Sequence, residues 1–299
     1  MAVYFPSIFN DVIGPVMRGS SSSHVAAAHR IGALARDYMK GDFDTVLIEY
    51  DVNGSLEPTH DSQGSDMGLF TGLMGWDVTD ARMVEAVTHL ENKGVCVEIR
   101  ICDYQASHAN TYRLTLSNAH ESCCMVAISI GGGMIEVIEI NGCKLSMFGD
   151  YYETLIFNAD KTLKDTLTGD HVLLRDGLIQ VKGQAFVDES LLPDGCVVRS
   201  LKPVLPIAAR RDLKVPFADS EELIAYNKDK NLDLWQLALQ YESARGNIPE
   251  GVVFEKMRHI VKILEKSIAD GISGTAYADR IYPAQAPAFK EKMASNSFM

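Results

Sequence analysis

The sequence predicts an α+β fold: a domain with an antiparallel sheet, then a small α+β unit, then a helical segment. Three observations point there. Runs rich in β-branched residues, such as "DTVLIEYDVNG" and "GVCVEIRICDY", alternate with helical patterns in the first half. Further strand-like runs then follow one another directly, and strands in succession pair antiparallel. From about residue 220 the apolar residues recur at the helical period instead. The expected boundaries are 1–145, 146–208 and 209–299.

In chain order, the first helix follows "RGSSSSHVAAAHRIG", residues 18–32. Val25, Ala28, Ile31, Ala35 and Tyr38 repeat at helical spacing. Ser22 or Ser23 is the expected N-cap, since a hydroxyl there accepts a bond from an orphan first-turn N–H. The same N–H groups and the helix dipole favour an anion. "SDMGLFTGLMG" and "TDARMVEAVTHLENKG" read as helices, the second capped by Thr79 and ended by Gly94. "ANTYRLTLSN", "CCMVAISIGGGMIEVIEING" and "KLSMFGDYYETLIFN" read as successive strands. The small unit adds a short helix at "KTLKDTL" and strands in "GLIQVKGQAFVDE" and "CVVRSLKPVLPI". Helices are expected in "SEELIAYNKDKN", "LDLWQLALQYESARG" and "EGVVFEKMRHIVKILEKSIADG". Their apolar stripes are Leu234, Leu237, Ala238 and Tyr241, then Val253, Met257, Ile260, Ile263 and Leu264. Such stripes expect a core or a partner.

Composition narrows the function. A chain of 299 residues has ample core. A formal charge of −12 argues against nucleic acid as a partner. No apolar stretch of membrane-spanning length occurs, and "MAVYFPSIFN" lacks the pattern of a secretion signal. The six cysteines show no disulfide-framework spacing, which fits a reducing cytoplasm. Adjacent Cys123 and Cys124 point to opposite faces of a strand, and Cys96 and Cys102 lie about 20 Å apart along another. No metal or cluster is therefore expected in this chain.

Several stretches together resemble the iron–sulfur-dependent L-serine dehydratases, also called L-serine ammonia-lyases. "SIFNDVIGPVMRGSSSSHVAAAHRIG" is similar to the family's opening, with its Gly-Pro-Ser-Ser-Ser-His-Thr signature and Arg-Ile-Gly. "GSLEPTHDSQGSDMGLFTGLMGW" resembles the stretch leading to Gly-His-Gly-Thr-Asp. "SHANT" resembles His-Pro-Asn-Thr, and "ISIGGGMI" the Ser-x-Gly-Gly-Gly strand. The 146–208 unit looks like a degenerate ACT domain, and the last segment like the start of the family's helical catalytic domain. The resemblance also has departures. Gln63 falls where the family has the histidine of Gly-His-Gly-Thr-Asp, and Ser65 where it has the threonine. Ser20, Val25 and Ala109 replace two prolines and a threonine of the signatures. No cluster-binding cysteine of the catalytic domain precedes Met299.

The resemblance implies removal of the α-proton and β-hydroxyl of L-serine, with the enamine hydrolysing to a keto acid and ammonium. In the family an iron of a four-iron four-sulfur cluster polarises the hydroxyl. That cluster is expected on a second protein chain, with no cofactor in this one. His24, His108 and Asp66 are the catalytic candidates, suited to orienting or acid–base work. Ser21, Ser22, Ser23, Gln63, Ser65, Asn110, Thr111, Gly131, Gly132 and Gly133 are the candidate substrate-binding residues, offering hydroxyls, amides and close backbone N–H groups. Each has a structural alternative: Asp66 as a first-turn helix charge, Gly131–Gly133 as a bulge. Gln63 cannot take up a proton near neutral pH, and His60 substitutes only if the loop brings it within reach. Two functions stand: a subunit of a lyase acting on L-serine or a related hydroxy acid, or a regulatory module that binds a small carboxylate without catalysis.

Overall fold

The computed structural model describes residues 5–13, 19–274 and 284–295. It divides into two compact units, Pro6–Asp212 and a second containing Leu213–Met299 with Phe5.

The first unit holds two sheets. Strands β1 (Thr45–Asp51), β2 (Cys96–Cys102), β3 (Thr111–Ser117), β4 (Ser122–Gly131), β5 (Met134–Ile140) and β6 (Cys143–Met147) form a sheet in the order β2-β1-β3-β4-β5-β6. Burial alternates along β1, β3 and β4, as expected when one face meets a helix layer. Val46, Ile48, Tyr50, Tyr112, Leu114 and Met125 pack against Ala28, Ile31 and Leu34 of α1 (Ser22–Tyr38) and Leu69 and Leu73 of α2 (Ser65–Met74). The sheet is not wholly antiparallel, because β1 and β2 pair in parallel. The intervening chain carries α2 and α3 (Ala86–Asn92), and a parallel pair needs such a crossover. Thr79 does not cap the second helical stretch. Asp80 does, accepting from Arg82 N at 2.9 Å to open a 3-10 turn, Ala81–Glu85, before α3.

Three glycines set how α1 and α2 meet. A Cβ at Gly68 would lie 2.3 Å from the Val25 carbonyl, at Gly72 2.2 Å from that of His29, and at Gly32 2.3 Å from that of Leu69. The helices therefore touch backbone to backbone. Position 25 meets 68 and 29 meets 72, so they run parallel with their N-termini side by side.

The smaller sheet contains β7 (Tyr152–Phe157), β8 (His171–Arg175), β9 (Leu178–Gly183) and β10 (Val197–Leu201), in the order β10-β7-β9-β8. Every neighbouring pair is antiparallel. Hence β7 and β8 are parallel with β9 inserted between them, and β9 and β10 are parallel with β7 between. This is a split βαβ arrangement used twice. Both crossovers are single 3-10 turns, Lys161–Asp165 and Glu189–Leu191, where full helices would normally lie. The two sheets are tied at Ser146, whose carbonyl accepts from Lys182 Nζ at 2.8 Å and Gln180 Nε2 at 3.1 Å.

In the second unit α4 (Ser220–Asn227) starts at Asp219, whose carboxylate accepts from Glu222 N. Next come α5 (Leu234–Gly246), α6 (Glu250–Ser273) and α7 (Ala286–Ala294), the last not expected from sequence. Leu237 and Val253 are buried, but Leu234, Trp235, Phe254, Val261, Leu264 and Ile268 are exposed. No helix among the described residues is long and apolar enough to cross a membrane.

The glycine contact predicts the sign of a substitution. Gly72→Ala should raise intrinsic helix propensity by about 1 kcal/mol. Yet it should destabilise the fold by about 1–3 kcal/mol, because the carbonyl it meets belongs to rigid backbone. Urea unfolding checks this, and a stabilised variant would contradict the close helix contact.

Candidate functional site

The paired helix ends form the centre of the candidate site. Ser21, not Ser22 or Ser23, is the cap residue of α1, and its side chain makes no cap bond. Long-range contacts place the helix start there: Ser21 N donates to Gln63 O at 3.3 Å and Ser20 Oγ to Ser62 O at 2.6 Å. Ser22 and Ser23 are the first two helical residues, so their hydroxyls ride on the first turn. Ser21 Oγ lies 2.8 Å from His24 Nδ1. Burial pushes the His24 imidazole below its ordinary value.

The loop between β1 and α2 carries the other half. Ser55 N donates to Ala109 O at 2.9 Å, and Ser55 Oγ bonds Asn110 Oδ1. Thr59 Oγ1 donates to Ser55 O at 2.6 Å, and Gln63 N to Thr59 O at 2.9 Å. With the Ser21–Gln63 bond, this chain of contacts connects the start of α1 to the His108–Thr111 segment. Asp51, at the end of β1, accepts from Ala106 N, Asn53 N and Tyr104 N, which lowers its carboxyl and fastens the 104–106 turn.

Asp66 lies in the first turn of α2, buried, with both oxygens engaged. Tyr50 OH donates to Oδ1 at 2.8 Å, and His60 Nδ1 lies 2.6 Å from Oδ2. The His60 and Tyr50 rings stack at 4.8 Å. Desolvation, then the Asp66 charge, raises the Tyr50 phenol well above its usual range, so it stays a donor. The loop thus brings His60, not residue 63, onto the aspartate.

The hydrogen-bond partners assign the neutral tautomers. A carboxylate only accepts, so neutral His60 carries its proton on Nδ1 and leaves Nε2 as an acceptor. Among the described residues no group bonds that Nε2, and the side chain is 20% exposed. His108 is the reverse. Its Nδ1 accepts from Asn110 N at 3.1 Å, so neutral His108 carries the proton on Nε2 as a donor.

The remaining candidates divide. The Gln63 Oε1 is buried without a hydrogen-bond partner, an acceptor awaiting a donor. Ser65 and Thr111 are buried with their hydroxyls engaged by Tyr112 OH and the His108 carbonyl. Gly131 pairs with Met134, making Gly132–Gly133 a two-residue hairpin turn. Both have positive φ, 61° and 80°, which that turn demands, and a register shift between Ser129 and Gly131 puts a bulge at its entry, so the stretch is a bulge followed by a tight turn. Buried Arg30 of α1 donates to the Gly133 carbonyl at 2.6 Å and holds the hairpin to the helix. Sequence reasoning missed Tyr50, Asp51 and Ser55. Tyr50 had the pattern of a core strand residue, and the loop residues had no motif of their own. Among the described residues no three His, Cys, Asp or Glu side chains gather as a metal site.

These features define an α+β domain whose paired helix ends gather hydroxyls and histidines, with an orphan amide oxygen buried beside them. No protein-family model matches the chain. The "Probable L-serine dehydratase, beta chain" of Bacillus subtilis (strain 168) is 37% identical over 157 residues, which is 52% of this chain and 70% of that protein. The "L-serine dehydratase, beta chain" of Peptoniphilus asaccharolyticus is 28% identical over 148 residues, 49% of this chain and 66% of that protein. The chain belongs to the L-serine dehydratase beta-chain family.

A pH dependence follows from His24. Its folded value lies below the ordinary imidazole value of about 6.5, so the unfolded chain binds the proton more readily. The contribution is present above about pH 6.5 and is lost as pH falls through the folded value. The stability difference between pH 7.5 and pH 5 should therefore shrink in His24→Gln, measured by denaturant unfolding at both values.

Proposed function

We propose that the chain is the substrate-facing subunit of a serine-dehydratase-like lyase. It would act on L-serine or a related 2-amino-3-hydroxy acid, with a second chain bearing the iron–sulfur cluster. The observation that carries this reading is the His60–Asp66 pair beside paired helix N-termini. The helix ends and the Ser21–Ser23 hydroxyls suit a substrate carboxylate. The orphan Gln63 Oε1 suits the ammonium, and Asn110 with the Nε2–H of His108 suits a hydroxyl or carboxylate oxygen. His60 Nε2 is the base for the α-proton, and Asp66 and Tyr50 hold its tautomer and ring plane. Loss of that proton and of the β-hydroxyl as water leaves 2-aminoacrylate, which becomes an imine and hydrolyses to the keto acid and ammonium.

The naming of both relatives as beta chains supports a partner alpha chain, and the exposed apolar residues of α5 and α6 suit its docking. The doubled split βαβ order of β7–β10 supports the degenerate ACT-like reading. Free cysteines suit a cytoplasmic setting. One observation favours the second function, a small-carboxylate sensor: Gln63 stands where the resembled enzymes carry histidine.

Co-expression with the neighbouring reading frame, then a keto-acid assay with L-serine and other hydroxy acids, tests the reading. Turnover is expected only in the complex, and His60→Asn should lower it by about 10²–10⁴-fold. Turnover that survives His60→Asn but disappears in His108→Asn would move the base to His108. A stable complex that binds serine and turns over nothing would favour the sensor.

A further inference from the structure

Strand β2 forms one edge of the six-stranded sheet. On its inner side Cys96 N donates to Asp44 O at 2.8 Å, and Cys102 O accepts from Val52 N at 3.2 Å. In a strand the N–H and C=O of one residue point to the same side, and successive residues alternate. The even-numbered residues therefore face β1. Val97, Ile99 and Ile101 turn their backbone groups outward, where no described strand meets them.

The side chains add a second asymmetry. The β1 register aligns Val97, Ile99 and Ile101 with Val46, Ile48 and Tyr50 on the core face. Ile99 and Ile101 are nevertheless 38% and 40% exposed. The opposite face carries Glu98 and Arg100. The strand has no proline, lysine or bulge, the usual devices against edge pairing.

We propose that β2 pairs antiparallel with β2 of a second copy of this chain, about a two-fold axis at Ile99. The backbone phase fits. Ile99 faces Ile99 of the partner subunit, and Val97 faces Ile101 of the partner subunit, all pairs whose outward groups exchange both N–H···O bonds. The even residues then form the closer, non-hydrogen-bonded pairs. Glu98, which already pairs with Arg100 of its own chain at 2.7 Å, also stands opposite Arg100 of the partner subunit, so the two pairs join by symmetry into one cluster of alternating sign. The neighbouring registers of the same phase set Glu98 against Glu98 or Arg100 against Arg100, and like charges directly opposite destabilise. Charge thus selects this register, which also covers Ile99 and Ile101. The contact is isologous and closed, so it makes a dimer and not a fibre. It is independent of the catalytic reading.

The test uses the full chain in sedimentation equilibrium over a range of concentrations. A monomer–dimer equilibrium is expected. Glu98→Arg or Arg100→Glu alone should weaken it about tenfold, and the double reversal should restore it. Ile99→Pro should abolish it with unchanged circular dichroism, since that N–H takes no part in the chain's own sheet. Amide exchange at Val97, Ile99 and Ile101 should slow as concentration rises. Mild oxidation should link Cys96 to Cys102 of the partner subunit, whose Cα atoms would stand about 4.5 Å apart. A monomer at every concentration would overturn the proposal. So would a dimer indifferent to both single reversals, or β2 amides protected only when a different chain is co-expressed.

Discussion

The backbone contact between α1 and α2 is the constraint on which the candidate site depends. Gly32, Gly68 and Gly72 each bring a glycine Cα against a carbonyl of the other helix, with room for no side chain. Because the helices run parallel, the contact aligns their N-termini. Serine hydroxyls of one then stand beside the first turn of the other, and two helix dipoles point positive ends at one place. A larger residue at any of the three positions would move the helix ends apart before it touched a single site residue. Gly64, with φ of 80°, belongs to the same arrangement: a Cβ there would press on Val25 at 2.9 Å. The fold thus uses small residues to bring polar ends together, and the core behind them supplies the rigidity.

Two histidines near that place have opposite chemistry, and only their partners tell them apart. His60 gives its Nδ1 proton to a carboxylate, whereas His108 receives a backbone N–H on the same atom. One ring is left with an outward acceptor and the other with an outward donor. A site that removes a proton while holding an oxygen needs one of each. Asp66, a catalytic candidate on sequence grounds, has both oxygens committed to Tyr50 and His60. Its geometry suits the orientation of a base more than the delivery of a proton.

Local patterns made the main strands and the long helices legible. Thr45–Asp51 and Cys96–Cys102 show β-branched content, and α1, α5 and α6 show the helical period. β8 is not part of the strand pattern read from sequence, although "LLRDGLIQV" carries an Asp-Gly turn between apolar runs, the signal of the β8–β9 hairpin. The parallel pairing of β1 with β2 was also missed, since strand direction depends on where the crossover helices pack. In the site, motif order identified Ser21–His24, Asp66 and His108, but not their connections. Those run through a loop whose hydrogen bonds join residues with no periodic relation. The cap fell on Ser21 because Gln63 and Ser62, some forty positions away, hold the chain entering α1.

The same loop decides why His60, and not position 63, meets the aspartate. Gln63 lies three positions after His60, close to one helical turn, and the loop is coiled there. His60 N bonds Leu56 O, and Gln63 N bonds Thr59 O. Along such a coil, positions 60 and 63 project toward neighbouring directions. A proton acceptor can therefore move from one position to the other while remaining over the same end of α2. The aspartate fixes which of them it orients. Asp66 Oδ2 is already bonded to His60, and Oδ1 to Tyr50. A histidine at 63 would have to displace one of these to gain the same tautomer. A glutamine there asks nothing of Asp66 and contributes a buried acceptor instead. The His60 pairing and the buried Gln63 amide are then one arrangement, with the imidazole on the carboxylate and the amide oxygen beside it.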